Sequence, residues 1–258
     1  MKMLQEQKQK RSIKGGDLFE LGNHRLLCGS AMNPDHVKKL IGNAKISLVE
    51  IDPPYAVCLS ESKKAFKQFK DRKPIENDDI TSEEDYRNFT VSYLKPIIPY
   101  LEKKNTLYMF NADRMIIPTV EGIREAGFKF SQLLIWIKSQ AVLGRLDYQP
   151  QHELVFYGWH GRHEFKKSKD KSVLFCPKVQ KSPLHPTMKP VSLVSRLILN
   201  STDINDIVYD CFCGSGTSII ASEQTCRKCL AIEVDPEYCE TIINRWEKYT
   251  GKTAKLIK

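Results

Sequence analysis

The stretch from Ile207 to Asp235, IVYDCFCGSGTSIIASEQTCRKCLAIEVD, constrains the fold of this chain more than any other part of it. It reads as a strand, IVYD, a turn around Gly214-Ser215-Gly216, a short helix, and a second strand, CLAIEV (229–234). Glycine has no Cβ, so such a turn can take left-handed dihedrals and let a ligand come close to the backbone. In a doubly wound sheet, ligands sit at the carboxyl ends of the strands, and an acid closing the second strand accepts from ribose hydroxyls. Glu233, 17 residues after Gly216, is in that place. A dinucleotide fingerprint would need a third glycine where Ile219 stands, and no Gly-Lys-Ser/Thr of a phosphate loop is present. A turn that only packs strand on helix is the plain alternative.

The rest of the chain alternates in the same way. ISLVEI (46–51) is a continuous apolar run ended by Pro53-Pro54, as expected of a buried strand running into a turn. Thr81 and Glu84 have the spacing of a capping box and open a helix with Tyr86, Phe89, Tyr93 and Ile97 on one face. Pro96 and Pro99 end or kink it. Strands are expected at 106–110, 130–138 and 153–159, and a helix over 120–127. Pro190 opens another helix, with Val191, Val194, Leu197 and Ile198 as its apolar face. Asp235-Pro236 caps the last one, with Tyr238, Ile242, Trp246 and Tyr249 inward and Gly251 at its end. Strands alternating with helices imply an α/β fold with a mostly parallel sheet covered on both faces. The polar, lysine-rich stretch 160–185 breaks the pattern and reads as an insertion on that scaffold.

With 258 residues and 41% apolar content, the chain can bury a sizeable core. No run approaches the ~18 apolar residues of a membrane span, and the basic start MKMLQEQKQKRSIK has no apolar signal region. The net charge of +9 is unevenly spread. Residues 1–14 form a basic arm, 61–73 carry six positive groups, and 160–189 carry eight. Such clusters suit a polyanion, although solvated faces look the same. In a reducing compartment the eight cysteines stay free thiols. Cys211-x-Cys213 and Cys226-x-x-Cys229 have a zinc-like spacing, but they fall within the strand–turn–helix–strand unit, where small packing residues suffice, so no metal is expected.

Asp52-Pro53-Pro54-Tyr55 follows the buried strand 46–51. Two prolines stiffen the backbone and remove two N–H donors, so the Asp52 carboxylate and the Pro53 carbonyl can face one small space as acceptors. Such a space suits an –NH2 group that donates both hydrogens, and Tyr55 offers a face on which a planar base can stack. A rigid strand-ending turn is the bland alternative.

Together these motifs resemble the DNA amino-methyltransferases, which carry an Asp/Asn/Ser-Pro-Pro-Tyr/Phe motif and an Asp-x-Phe-x-Gly-x-Gly motif. The order, with Asp52 to Tyr55 ahead of Phe212 to Gly216, resembles their permuted β group. His185-Pro186-Thr187-Met188-Lys189-Pro190 is similar to that group's segment at the methionine end of the cofactor, and HRLLCGS (24–30) and WIKSQAVLGRLDYQPQHELVFYG (136–158) also look like it. The resemblance spans roughly residues 15–251. Two departures stand out: Ser30 replaces a usual acid at the cofactor's adenine end, and Cys211 replaces a frequent proline.

The resemblance implies a Rossmann-like class I methyltransferase fold, a mostly parallel seven-stranded sheet, in one catalytic domain over 1–258. It implies S-adenosyl-L-methionine as cofactor, held by Asp210, Phe212, Gly214, Gly216, Thr217 and Glu233, with Thr187 and Lys189 at its methionine end. Asp52, Pro53, Pro54 and Tyr55 would carry out catalysis on a flipped nucleotide. The region 160–185 would recognise the target, with Lys166, Lys167, Lys169 and Lys171 on DNA. Asp at position 52 points to N6 of adenine, while N4 of cytosine, methylation of a protein glutamine or of RNA, and a non-catalytic DNA-binding relative stay open. Double-stranded DNA is the implied partner, in a prokaryotic or phage-type cytoplasm. A homodimer and a cognate restriction endonuclease encoded elsewhere are further expectations of such a family.

Overall fold

The computed structural model describes residues 11–55, 80, 82–141, 147–166, 170–177 and 188–257. Its frame is a single sheet of ten described strands: β1 (Leu18–Leu21), β2 (His24–Cys28), β3 (Ile46–Ile51), β4 (Leu101–Asn111), β5 (Lys129–Ile137), β6 (His152–Trp159), β7 (Val173–Phe175), β8 (Ile207–Asp210), β9 (Lys228–Glu233) and β10 (Lys255–Ile257). The order across the sheet is β10-β1-β2-β9-β8-β3-β4-β6-β5-β7. The five central strands, β2 to β4 in that order, are all parallel, and β6 and β5 continue antiparallel. The expected count of seven falls short by three. The additions β1, β7 and β10 are three or four residues long, too short for a period-2 pattern to register.

Six described helices cover the two faces: α1 (Pro34–Ile41), α2 (Glu83–Leu94), α3 (Ile116–Glu125), α4 (Val191–Ser201), α5 (Thr217–Gln224) and α6 (Pro236–Thr250). One face packs Val37, Tyr86, Tyr93 and Ile123 of α1 to α3 against Val49, Ile51, Leu107 and Tyr209. The other packs Leu193, Leu197 and Ile198 of α4 against Leu48, Tyr108, Phe110 and Val208, and Ile242 and Trp246 of α6 against Leu26 and Ala231. Strand alternation therefore puts Leu48, Glu50 and Asp52 on the α4 side and Val49 and Ile51 on the α2 side. Buried on both faces, these strands read as nearly unbroken apolar runs.

The connections define where a ligand can sit. From β8 the chain crosses through α5 to β9 on one side; from β3 it crosses by way of α2 to β4 on the other. The neighbours β8 and β3 thus form the switch point of the sheet, and the crevice at their carboxyl ends is the expected ligand site. Pro53 and Pro54 end β3 there, because neither can donate to a ladder.

Several local expectations shift. The cap of α2 is Ser82, not Thr81, which lies outside the described residues; the Ser82 hydroxyl accepts from the Asp85 amide at 3.0 Å. The helix expected over 120–127 starts earlier, at Ile116, after a 3-10 turn at Asp113–Met115. Tyr249 does not face inward: it is half exposed, and the buried stripe of α6 is Cys239, Ile242, Ile243, Trp246 and Glu247. Within 160–185, β7 is an edge strand whose Leu174 is buried, and the Trp136 indole donates to the Cys176 carbonyl at 2.8 Å. Part of that region is therefore built into the sheet. No helix among the described residues is long and apolar enough to cross a membrane.

Candidate active site

Asp52 leaves the end of β3 at the crevice, and its carboxylate is already engaged there. Tyr55 donates its hydroxyl to Oδ1 at 2.6 Å, and the Lys189 ammonium donates to Oδ2 at 2.5 Å. Lys189 also lies 3.0 Å from the Tyr55 hydroxyl and 3.2 Å from Oε2 of Glu153 on β6. Lys138, just past β5, closes the set at 2.7 Å from Oε1 of Glu153. Two carboxylates thus face two ammoniums in a buried network, with the Lys189 ammonium over the rings of Tyr55 and Phe110. Burial pushes the Asp52 carboxyl above the ordinary range, and Lys189 pulls it back. Burial acts the same way on Glu153, but Lys189 and Lys138 outweigh it and hold its pKa at about 2. Burial opposes the charge on Lys189, yet Asp52 and Glu153 prevail and keep it protonated.

The turn itself is clamped from α2. The Tyr86 hydroxyl donates to the Pro54 carbonyl at 2.8 Å and accepts from the Asn111 amide at 2.8 Å. No donor among the described residues reaches the Pro53 carbonyl, which leaves it available as an acceptor beside Asp52.

Next to this turn, β8 and β9 present the glycine loop. Asp210 ends β8, accepts from the Phe212 amide at 3.0 Å and from the Ser218 hydroxyl, and is pushed up to about 7 by burial despite those bonds. Glu233 ends β9 and accepts from the amides of Gly214 at 2.7 Å and Asp235 at 3.0 Å; burial still raises it to about 7. Gly216 has φ +80, and a Cβ there would come within 3.1 Å of Ile242, so the loop closes tightly on α6. Arg245 of α6 fixes it by donating to the Ser215 carbonyl at 2.8 Å. The Phe212 ring packs edge-on to Tyr93 at 4.9 Å and forms a wall of the crevice.

Asp52, Pro53, Pro54 and Tyr55 therefore lie at the same crevice as Asp210, Phe212, Gly214, Gly216, Thr217 and Glu233. Lys189 joins them, but its ammonium lies on the Asp52 side, while its carbonyl is 3.4 Å from the Thr217 hydroxyl. Thr187 lies outside the described residues, as do Cys58, the basic stretch 61–73, Lys167 and Lys169. Lys166 is not free on the surface: its ammonium is 2.7 Å from Asp203 and 3.0 Å from Glu164. Lys171 is exposed. At the described end of the N-terminal arm, the Arg11 guanidinium pairs with Glu247 of α6 at 2.7 Å. Ser30 serves its own turn, accepting from the Met32 amide at 3.3 Å. Cys211, Cys213 and Cys229 are buried packing residues, whereas Cys226 is exposed. Sequence reasoning missed Glu50, Tyr86 as a clamp, Lys138, Glu153 and Arg245. The signal for three of them was present: Glu50 in ISLVEI, Lys138 after LLIWI and Glu153 before LVFYGW are lone charges in or beside apolar strands, hence buried charges in want of partners.

A protein-family model described as DNA methylase, of the N6_N4_Mtase type, matches residues 46–245. The type II methyltransferase M.HpaI of Haemophilus parainfluenzae is 25% identical over 245 residues, covering 84% of this chain and 72% of its own. Among solved structures, the M1.HpyAVI–SAM complex matches with a TM-score of 0.62 at 22% identity, over 85% of this chain and 98% of that one. The PvuII cytosine-N4-specific DNA methyltransferase matches with a TM-score of 0.64 at 18% identity, over 84% of each chain. The shared fold is that of the class I methyltransferases.

Proposed function

The chain belongs to the DNA methylase family of the N6/N4 amino-methyltransferase type, and from that premise we propose that it transfers a methyl group from S-adenosyl-L-methionine to N6 of adenine in duplex DNA. The observation that carries this reading is the Asp52 carboxylate, which sits just past the end of β3 beside the Pro53 carbonyl, an acceptor that no donor among the described residues reaches, and a tyrosine ring, Tyr55.

The donor set fits this cofactor. Asp210 and Glu233 are acceptors, suited to an ammonium group and ribose hydroxyls, and they stand where a pyrophosphate would be repelled. S-adenosylmethionine supplies a methyl group on a cationic sulfur. Asp210, Phe212, Gly214, Gly216, Thr217 and Glu233 would hold it, with Thr187 near its methionine end. Lys189 belongs to this set through its backbone and to the catalytic set through its ammonium.

The remaining work falls to the turn. The target base is taken out of the stack and placed against Tyr55. Each carboxylate oxygen has a second lone pair, so Asp52 can accept from the amine, and Pro53 takes the other hydrogen. Lys189 already touches Glu153, so it can let go of Asp52 without losing its counter-ion. Held by both hydrogens, the amine keeps its lone pair on nitrogen for in-line attack; the new N–C bond would form as the methyl's bond to the cofactor sulfur breaks, leaving a neutral thioether, and the surplus proton would pass to Asp52 and on to solvent. Orientation supplies most of the acceleration.

We further assign 1–258 to one catalytic domain, with 1–14 as a basic arm and 160–185 as the target-recognition region. Incubating the purified protein with cofactor and duplex DNA, followed by nucleoside mass spectrometry, tests the reading. N6-methyladenine is expected. N4-methylcytosine would overturn the choice of base and keep the class, and unmodified DNA across many sequences would overturn both.

A further inference from the structure

Glu50 has no part in the chemistry above, yet it lies at the floor of the same crevice. It is 4% exposed and is the last residue but one of β3, on the same face as Asp52. In the register of the parallel pair, Leu48 faces Val208 and Val49 faces Tyr209, so Glu50 falls beside Asp210. No hydrogen-bond donor among the described residues reaches its carboxyl group. A buried carboxylate without donors or a counter-ion is strongly disfavoured, so its presence needs a compensating charge.

Among the described residues, the nearby cations are already paired elsewhere. Lys189 is committed to Asp52 and Glu153, and Lys138 to Glu153. The charges acting on Glu50 come from Asp210 on β8, Asp52 just past the end of its own strand and Lys189 before α4; the Cys229 thiol on β9 also feels it. On β4 its register partner is Tyr108, whose hydroxyl is bonded to Ser201. Ser218 of α5 bonds Asp210. On α4, Arg196 is paired with Asp170. Among the described residues, Glu50 and Asp210 therefore share the crevice floor with no cation bonded to either, Lys189 acting on Glu50 only through space.

We infer that Glu50 discriminates between the two forms of the cofactor, its negative charge favouring the cationic methyl-bearing form over the neutral thioether left after transfer. This rests on the reading of the crevice as the S-adenosylmethionine site. Both forms carry the same ammonium and carboxylate, so the sulfonium charge is the whole electrostatic difference between them. With the cation bound, Glu50 and Asp210 can both be ionised. With the neutral product bound, the floor holds on to a proton. The product is then released from a pocket whose charge no longer suits it.

Burial and the neighbouring Asp210 raise the Glu50 pKa well above the ordinary carboxylate range, and burial brings Asp210 to about 7. Preference for the cation should therefore grow as pH rises toward and through neutrality. Titration calorimetry of S-adenosylmethionine and S-adenosylhomocysteine between pH 6 and 8, in buffers of different ionisation heat, tests this directly. The parent protein should release more protons on binding the sulfonium form than on binding the product, and the affinity ratio should increase with pH. Glu50→Gln should lower sulfonium affinity by about tenfold, the factor of one pKa unit of charge interaction, leave product affinity unchanged or tighter, and flatten the pH dependence. Glu50→Asp should retain the preference. Retained product binding certifies that the glutamine variant is folded. Equal proton release for the two ligands in the parent, or an unchanged affinity ratio in Glu50→Gln, overturns the inference alone. Failure of the parent to bind either ligand overturns the reading of the pocket, and the inference with it.

Discussion

At the scale of single residues, the crevice concentrates buried carboxyl groups whose environments pull them apart. On the proposed reading Asp52 accepts from the target amine, so Asp52→Ala should lower single-turnover methyl transfer by about 10²–10⁴, the range of a positioned proton acceptor. Cofactor affinity should hardly change, and a parent-like rate would make the turn merely structural. Glu233→Ala should do the reverse, weakening cofactor binding in a folded protein as read by calorimetry. The acids also set a pH dependence of stability. Asp210 and Glu233 both sit at about 7 in the folded chain. A carboxyl group raised on folding stabilises most below its unfolded value and loses that contribution as pH climbs through the folded one. The ligand-free protein should therefore lose thermal stability between pH 5 and 8 on account of these two, and Asp210→Asn should lose less. Glu153, held at about 2, works oppositely and destabilises only under strong acid. An equally steep decline in parent and Asp210→Asn would contradict this assignment.

At the scale of elements, α2 is more than a crossover helix. Its Tyr86 reaches the Pro54 carbonyl and takes the Asn111 amide, so helix, strand β4 and the Asp52–Tyr55 turn are joined at one hydroxyl. Tyr86→Phe removes that hydroxyl and leaves two buried partners short of a bond, costing about 1–3 kcal/mol. Denaturant unfolding should show that loss. Turnover should fall while cofactor affinity holds, because the glycine loop is braced separately by Arg245. If the rate is unchanged, the clamp does not position Asp52. The clamp also marks the limit of what the residues alone disclose. Long apolar runs such as ISLVEI and the Gly214–Gly216 turn are set by local rules, and the elements over 46–51 and 207–210 stand where those rules put them. Tyr86 reads equally as a core residue of an amphipathic helix, since its apolar face and its hydroxyl are both satisfied by strangers far along the chain. The same holds for Glu153 and Lys138: the sequence marks each as a charge out of place, but only the antiparallel pairing of β5 with β6 brings them together. Short β1, β7 and β10 gain their bonds from neighbours rather than from their own pattern, and α1, with only Val37, Leu40 and Ile41 buried, is too short for its apolar period to stand out.

At the scale of the whole molecule, the question is how a chain of net charge +9 meets DNA. Basic residues count toward a polyanion only if they are not already spent within the fold. Arg11 is spent on Glu247, and Lys166 lies between Glu164 and Asp203. Lys171, by contrast, is exposed beside Asp170, whose own carboxylate is occupied by Arg196 and Asn200. Of the lysines expected on DNA, Lys166 and Lys171 are thus unequal. Each phosphate neutralised steepens the slope of log affinity against log salt by roughly 0.9. Lys171→Ala should accordingly flatten that slope by nearly one unit if it meets a phosphate. Lys166→Ala should change it by less, because phosphate must first displace two carboxylates from the same ammonium. Fluorescence anisotropy with a duplex containing the methylated site, from 50 to 200 mM salt, measures both. Equal slopes in the parent and in Lys171→Ala would remove this edge of the sheet from the DNA interface. A larger effect from Lys166 than from Lys171 would mean that the ion pairs open on binding and that the edge beside Asp203, rather than the strand β7 side, tracks the backbone.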